Sequence, residues 1–258
     1  MPTMGEYDAR DPTLLSRHNI HCEIWGECSK NIVMIENSDA IAKRSLRLSY
    51  GGSDNKITLY GADLPNGVIH LIGDGAICNV SSSNIDINLW LNTNATCHIG
   101  ARSIIFGLNA YVYDDTTLSI GEDCLFATQI NIWTSDNHSI IDLATDKQMN
   151  FPASVTIEDH VWISEGVTIL KGVKVGKGSV LANRALVNAS IPQTELWGGV
   201  PARRLKTNVS WVASHPANPH DVGVMRSRLG IEGRPEILPA KTPWYRDFGR
   251  RLREWMPL

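Results

Sequence analysis

No stretch of this 258-residue chain approaches the roughly 20 consecutive apolar residues that a membrane-spanning helix needs. The first ten residues, MPTMGEYDAR, contain acids and no apolar run, so no secretory signal is expected there. A basic excess is missing as well: 24 Lys and Arg against 27 Asp and Glu give a net charge of −3, which argues against a nucleic-acid partner. The five cysteines, Cys22, Cys28, Cys78, Cys97 and Cys124, form no CxxC pair, and an odd number leaves one over in any disulfide scheme. Scattered reduced thiols and a cytoplasmic location are the expectation. Closely spaced histidines are lacking, since His98, His138 and His160 lie far apart, so no three-histidine zinc site and no metal are expected. Residues 1–50 contain no glycine-rich phosphate-binding motif.

What the chain has instead is a repeat. From Ile157 an aliphatic residue returns every sixth position: Ile157, Ile163, Ile169, Val175, Leu181 and Val187. Four residues after each stands a small or branched one: Val161, Val167, Val173, Ser179, Ala185 and Ile191. Ile120, Phe126 and Ile132 fall in the same frame, with Cys124 and Ile130 in the secondary slots. A period of six fits neither an alternating strand nor an amphipathic helix. It fits a triangular coil of three short strands, 18 residues around, stacked by parallel ladders roughly 4.8 Å apart. Turn-prone residues follow the aliphatic ones, as in Ile99-Gly100, Ile120-Gly121 and Val175-Gly176, where glycine suits a tight corner.

The stretch VTIEDHVWISEGVTILKGVKVGKGSVLANRALV, followed by WGGVPARRLK, resembles the hexapeptide-repeat acyltransferases, and among them the O-acetyltransferases of bacterial capsule and lipopolysaccharide, polysialic acid included. The resemblance is specific over about residues 99–211, patchy over 50–98 and absent beyond 212. It implies an all-β, left-handed parallel β-helix, against the right-handed rule for parallel crossovers. Residues 1–50 are expected to hold a cap and first strands, 51–211 the β-helix with a loop at 139–154, and 212–258 a partly helical extension. Ile72-Gly73 reads as an early corner, and the 21-residue step from Ile99 to Ile120 implies a small corner insertion. In the extension, Tyr245, Phe248, Leu252 and Trp255 share a helical face, and eight Lys and Arg face four Asp and Glu from Arg226 onward. Docking on the prism is the expectation for that helix, rather than contact with a membrane surface.

The frame from Ile120 calls for an inward aliphatic residue at 138, where the chain has His138, and the repeat resumes out of phase at Ile157, 19 residues on. A histidine at the start of a loop thrown out of the prism suits a general base, because imidazole accepts a proton near neutrality; the alternative is a buried ring bonded to a backbone carbonyl. The resemblance implies that His138 takes the proton of a sugar hydroxyl while that hydroxyl attacks the thioester of acetyl-CoA directly. Asp136 is placed either to orient the imidazole or to make an Asx turn, and Asn137 either to bond acceptor hydroxyls or simply to turn the chain. Trp162, just before inward Ile163, is expected at the surface, against the acetyl-pantetheine arm or against another subunit.

By the same resemblance coenzyme A lies along the prism, across Ser164 and Ala182 at equivalent corners 18 residues apart. Asn183 and Arg184 continue that surface but depart from the family's small residues. In the closing WGGVPA segment, Pro201 is followed by Arg203, which replaces the family's lysine; with Arg204 and Lys206 it either pairs with the nucleotide phosphates or forms a solvated basic turn. The resemblance further implies homotrimers with active sites between subunits. Transfer of acetyl to a carbohydrate hydroxyl is the expected activity, N-acetylation of a nucleotide-linked amino sugar the alternative, and a non-enzymatic glycan-binding β-helix a third that leaves His138 unexplained.

Overall fold

The computed structural model describes residues 4–37, 39–61, 63–81 and 84–232. The chain divides into two bodies, residues 1–211 and 212–258. The six-residue repeat builds the first as a three-sided parallel coil. Ile157 pairs with Val175, Ile163 with Leu181 and Ile169 with Val187, each one 18-residue turn away. All six are 0–1% exposed, and the secondary slots from Val161 to Ile191 are buried too. Each such aliphatic side chain contributes about 1.5–3 kcal/mol by leaving water, so the inward column is what holds the coils in register.

The earlier coils reach the same architecture with longer strands. Leu46–Tyr50, Asn66–Leu71, Asn84–Leu91 and Ile104–Val112 stack in parallel. Ile104–Val112 then pairs with both Leu125–Phe126 and Ile130–Trp133, so one long strand becomes two sides of the later triangle. A register shift between Ile85 and Ile87 marks the bend. The 21-residue step to Ile120 is therefore not the corner insertion expected. Two sides each extend inward by one further residue, Val112 and Thr116, both buried. The corner at Gly107 is correspondingly tighter than that at Thr128–Gln129. Ile72-Gly73 does form a corner: strand Asn66–Leu71 ends just before it, with Ile69 and Leu71 buried and Ile72 46% exposed.

Gly100, Gly121 and Gly176 serve close approach rather than unusual backbone angles. A Cβ on Gly100 would meet the backbone carbon of Gly121 at 2.6 Å, and one on Gly176 the backbone nitrogen of Gln193 at 2.4 Å. The left-handed positions lie two residues further along each corner, where Arg102, Asp123 and Gly178 have φ of 59°, 56° and 71°.

At the N-terminal end, helix Thr13–His18 buries Leu14, and strand Gly5–Asp8 pairs antiparallel with Ile32–Ile35. His18 is fully buried there, between the Ala40 carbonyl at 2.8 Å and the Tyr7 hydroxyl at 3.1 Å. At the other end an antiparallel hairpin, Glu195–Gly198 with Arg203–Thr207, closes the stack. In the second body, helix Pro219–Arg228 is capped by the Asn218 side chain, which accepts the Asp221 N–H at 2.9 Å. The amphipathic run from Trp244 to Trp255 lies outside the described residues. No helix among the described residues is long and apolar enough to cross a membrane.

Candidate active site

The coil is interrupted near the expected place. Thr134 still points into the core, and its carbonyl accepts the Ala153 N–H at 2.9 Å, so the chain leaves at Ser135 and returns at Ala153. Between them lies a small antiparallel hairpin, Ile141–Asp142 with Lys147–Gln148. The interruption thus starts three residues before His138. The loop is also less polar than its aspartates suggest: Ile140, Ile141, Leu143, Met149 and Phe151 are 45–91% exposed in the single chain.

His138 is exposed, and its imidazole makes no hydrogen bond to another described residue; its backbone N–H donates to the Asp136 carbonyl at 2.8 Å. The alternative of a buried, carbonyl-bonded ring does not hold. Asp136 is engaged elsewhere. Its Oδ2 accepts from the Lys171 ammonium and from Asn150 Nδ2 at 2.7 Å, not from His138. The hydrogen bond from Lys171 is the main reason its carboxyl is held below the usual carboxylate range, with Asn150 adding to it. Asn137 adopts a left-handed φ of 62°, and its N–H donates to Ser135 Oγ at 3.0 Å, so it turns the chain.

Trp162 begins the side that follows the next corner, paired with Leu125 and Val180, and is 37% exposed. Its ring leans on Trp211, centroids 6.2 Å apart at 48°. Within one chain it does not share a corner with the His138 loop: side Val155–Ile157 lies between them.

Ser164 and Ala182 follow the paired residues Ile163 and Leu181 on successive coils, but their backbone donors are not available. The Ser164 N–H is spent on the Leu181 carbonyl at 3.0 Å and the Ala182 N–H on the Trp197 carbonyl at 2.8 Å. Ser164 is nearly buried, Ala182 half-buried. Asn183 and Arg184 are exposed, and Arg184 takes the left-handed conformation that Gly166 has one coil earlier. Pro201 sits exposed at the tip of the closing hairpin. Arg204 pairs at 3.6 Å with Glu195, whose other oxygen accepts from Trp197 Nε1 at 2.7 Å, so it is partly used in closing the fold. Arg203 and Lys206 are exposed.

Four residues that sequence reasoning passed over complete the picture. Asn150 ties the loop base together: Nδ2 donates to Asp136 and, at 2.8 Å, to the His138 carbonyl, while Oδ1 accepts the Ile140 N–H at 2.6 Å. Lys171 fastens that base to the corner of the following coil. His160 and Trp211 stack 4.6 Å apart at 9°, with Trp211 Nε1 donating to the His160 carbonyl at 2.9 Å and His160 Nε2 donating to the Trp211 carbonyl at 3.1 Å. Only the asparagine's place inside the phase break offered any signal. The described cysteines are all free, and burial pushes the Cys22 and Cys124 thiols up to about 12. Among the described residues no group of three or more His, Cys, Asp or Glu is placed to hold a metal ion.

No family model matches this chain. It is similar to a polysialic acid O-acetyltransferase of Neisseria meningitidis, 31% identical over 144 residues, which cover 56% of this chain and 57% of that protein. A polysialic acid O-acetyltransferase of Escherichia coli O1:K1 is 29% identical over 119 residues, covering 46% of this chain and 39% of the other. A galactoside O-acetyltransferase of Lactococcus lactis is 28% identical over 125 residues, 46% of this chain and 60% of that one. The chain therefore spans about 40–60% of the length of these relatives. Among solved structures, the polySia-specific acetyltransferase NeuO superposes with a TM-score of 0.68 at 22% identity, over 82% of this chain and 98% of its own. The polysialic acid O-acetyltransferase OatWY gives 0.60 at 22% identity, over 76% and 89%. These likenesses show the fold, a left-handed parallel β-helix.

Proposed function

We propose that this chain, a homologue of the hexapeptide-repeat O-acetyltransferases, moves an acetyl group from acetyl-CoA to a hydroxyl of a bacterial surface polysaccharide or its precursor. One observation carries the reading: the break in the late coils exposes the His138 imidazole, on a backbone held by Asn150. The named activities of the relatives supply the direction.

In this mechanism the acceptor hydroxyl gives its proton to His138 as its oxygen bonds to the thioester carbonyl carbon. The carbon–sulfur bond then breaks, and the proton passes from His138 to the departing thiolate, so that acetyl ester and free CoA thiol are the products. Trp162 is assigned to the acetyl-pantetheine arm, with its indole N–H toward the thioester oxygen, and Arg203 and Lys206 to the nucleotide phosphates. The corner surface of Ser164, Ala182, Asn183, Arg184 and Pro201 is assigned to the length of the arm, through carbonyls and side chains rather than the ladder-bound N–H groups.

His138 and Trp162 occupy different corners of one prism, so the same reading places the site between subunits of a homotrimer, His138 from one chain facing Trp162 of the next. The apolar side chains left in solvent along the 140–151 hairpin support that assembly. A cytoplasmic location goes with the use of acetyl-CoA.

The test is acetyl-CoA-dependent thiol release against a panel of polysaccharides, oligosaccharides and amino sugars. His138→Ala is expected to keep the fold and lose about 10²–10⁴ in turnover. Near-normal turnover in that variant would remove the histidine from the chemistry. Transfer only to amino sugars would make the enzyme an N-acetyltransferase.

A further inference from the structure

The outer face of the long strands carries two columns that the acetyl-transfer chemistry does not use. Strand pairing sets Ser49, His70, Trp90, Tyr111 and Trp133 side by side on consecutive coils. Beside them run Val68, Asn88, Asn109 and Asn131, in register one residue pair away. All of these from His70 and Val68 onward point outward, half-buried or exposed, between inward residues such as Leu89, Ala110 and Ile132.

The first column is a run of rings. His70 stacks on Trp90 at 5.0 Å and 12°, and Trp133 at the far end is 44% exposed. Burial is the main reason the His70 imidazole is held below its ordinary range. The second column is a run of carboxamides, with Asn88 Nδ2 donating to Asn109 Oδ1 at 3.3 Å. Four rings on successive strands span three ladder steps, roughly 14 Å at the usual spacing.

Flat rings beside a row of amides match the two sides of a pyranose. The C–H faces of a sugar pack on the negative faces of aromatic rings. Its hydroxyls, each both donor and acceptor, pair with carboxamides, which are also both. One ladder step is close to the advance of one sugar along an extended chain. Charge narrows the class. Among the described residues of the two columns and the strand before them, the Asp, Glu, Lys and Arg side chains are Glu23 and Arg47, and these face each other at 3.6 Å. No spare cation lines the rings to meet a carboxylate on every sugar.

The track also has a direction. Trp133 is the last residue of its strand, and the chain leaves the prism two residues later, at Ser135, to carry His138. We infer that the His70–Trp90–Tyr111–Trp133 rings with the Asn88–Asn109–Asn131 amides form the acceptor track, and that it holds a linear, uncharged polysaccharide along the prism axis, leading to the His138 loop. The link to catalysis rests on the function proposed above; the affinity of the track does not.

Affinity electrophoresis separates the two. The full chain is run through native gels containing a soluble β-glucan, a mannan, a galactan, an N-acetylhexosamine polymer or polysialic acid. Retardation by at least one uncharged polymer is expected, and polysialic acid should retard less than that polymer does. Trp133→Ala and Asn109→Ala, both at exposed positions, should weaken retention by roughly three- to tenfold. Retention needs neither acetyl-CoA nor turnover, so failure of the thiol-release test leaves this measurement unaffected. Melting curves confirm that the variants are folded. Three results would each overturn the proposal: no retardation by any uncharged polymer, unaltered retention of both variants, or strongest retention by polysialic acid. If Trp133→Ala instead shifts sedimentation to a smaller species with glycan retention intact, the rings are an interface between copies.

Discussion

Asn150 offers the sharpest test of how the His138 loop is held. Its side chain makes three hydrogen bonds, to the Asp136 carboxylate, the His138 carbonyl and the Ile140 N–H, at 2.6–2.8 Å. A typical intramolecular bond contributes about 0.5–1.5 kcal/mol net. These three lie in an exposed loop, so the low end applies and Asn150→Ala should cost about 1.5–2 kcal/mol of local order. That is a factor of about ten or more in the ratio of intact to open loop. Asp136 keeps its ion pair with Lys171, so the loop loosens without detaching. Turnover in the thiol-release assay should therefore fall by at least threefold and by up to about tenfold, with the acetyl-CoA concentration at half-maximal rate little changed. The melting temperature should stay close to that of the parent, because no inward column is touched. Asn150→Asp should be worse than alanine, since it removes both donated bonds and sets a second carboxylate against Asp136. Turnover within twofold of the parent for both variants would refute the clamp. A fall in melting temperature as large as that of a core truncation would show that the loop braces the prism.

Phe126 is fully buried between Ile105 and Ile163 of the neighbouring coils, so Phe126→Ala should cost about 3–5 kcal/mol, read from denaturant midpoints. Acid should weaken the fold in a defined window. Lys171 lowers the Asp136 carboxyl and Lys174 lowers that of Glu158. Stability from a depressed carboxyl is present above its unfolded value, near 4, and is lost as pH falls through the folded one. Melting temperature should thus be flat with respect to these two groups above about pH 5 and fall below about pH 4, less steeply in Asp136→Asn and Glu158→Gln.

The late coils were legible because their periodicity is local. Six residues per side need no knowledge of what lies opposite, and every aliphatic residue so placed from Ile157 to Val187 is buried. The early coils were less so, since Asn84–Leu91 and Ile104–Val112 alternate like ordinary strands and reveal their bend only through pairing. Around the loop, counting fails for a simple reason. Ile120 pairs with Ile157 across 37 residues rather than 18, so residues beyond the hairpin cannot be matched to those before it. Sequence proximity thus sets Asp136 beside His138, two residues away, while its partners Asn150 and Lys171 lie 14 and 35 residues on. The Ser164 and Ala182 amides looked available because their acceptors, Leu181 and Trp197, belong to the coils above. Trp211 and His160 meet across 51 residues, a separation no repeat announces.

The separation of His138 from Trp162 within one chain makes the proposed assembly testable without seeing it. In a closed trimer, a site formed by His138 of one chain and Trp162 of the next is intact when the first chain carries only Trp162→Ala and the second only His138→Ala. Neither variant alone can build such a site. Co-expressed in equal amounts and assembled at random, the two should give intact sites at about a quarter of all positions. Thiol release should then recover to about a quarter of the parent rate, and skewing the expression ratio either way should lower it. A site built within one chain predicts no recovery at any ratio, because every chain lacks one of the two rings. If the variants mix into hybrid oligomers yet the rate stays at the level of the separate variants, the two-corner arrangement does not build the active site.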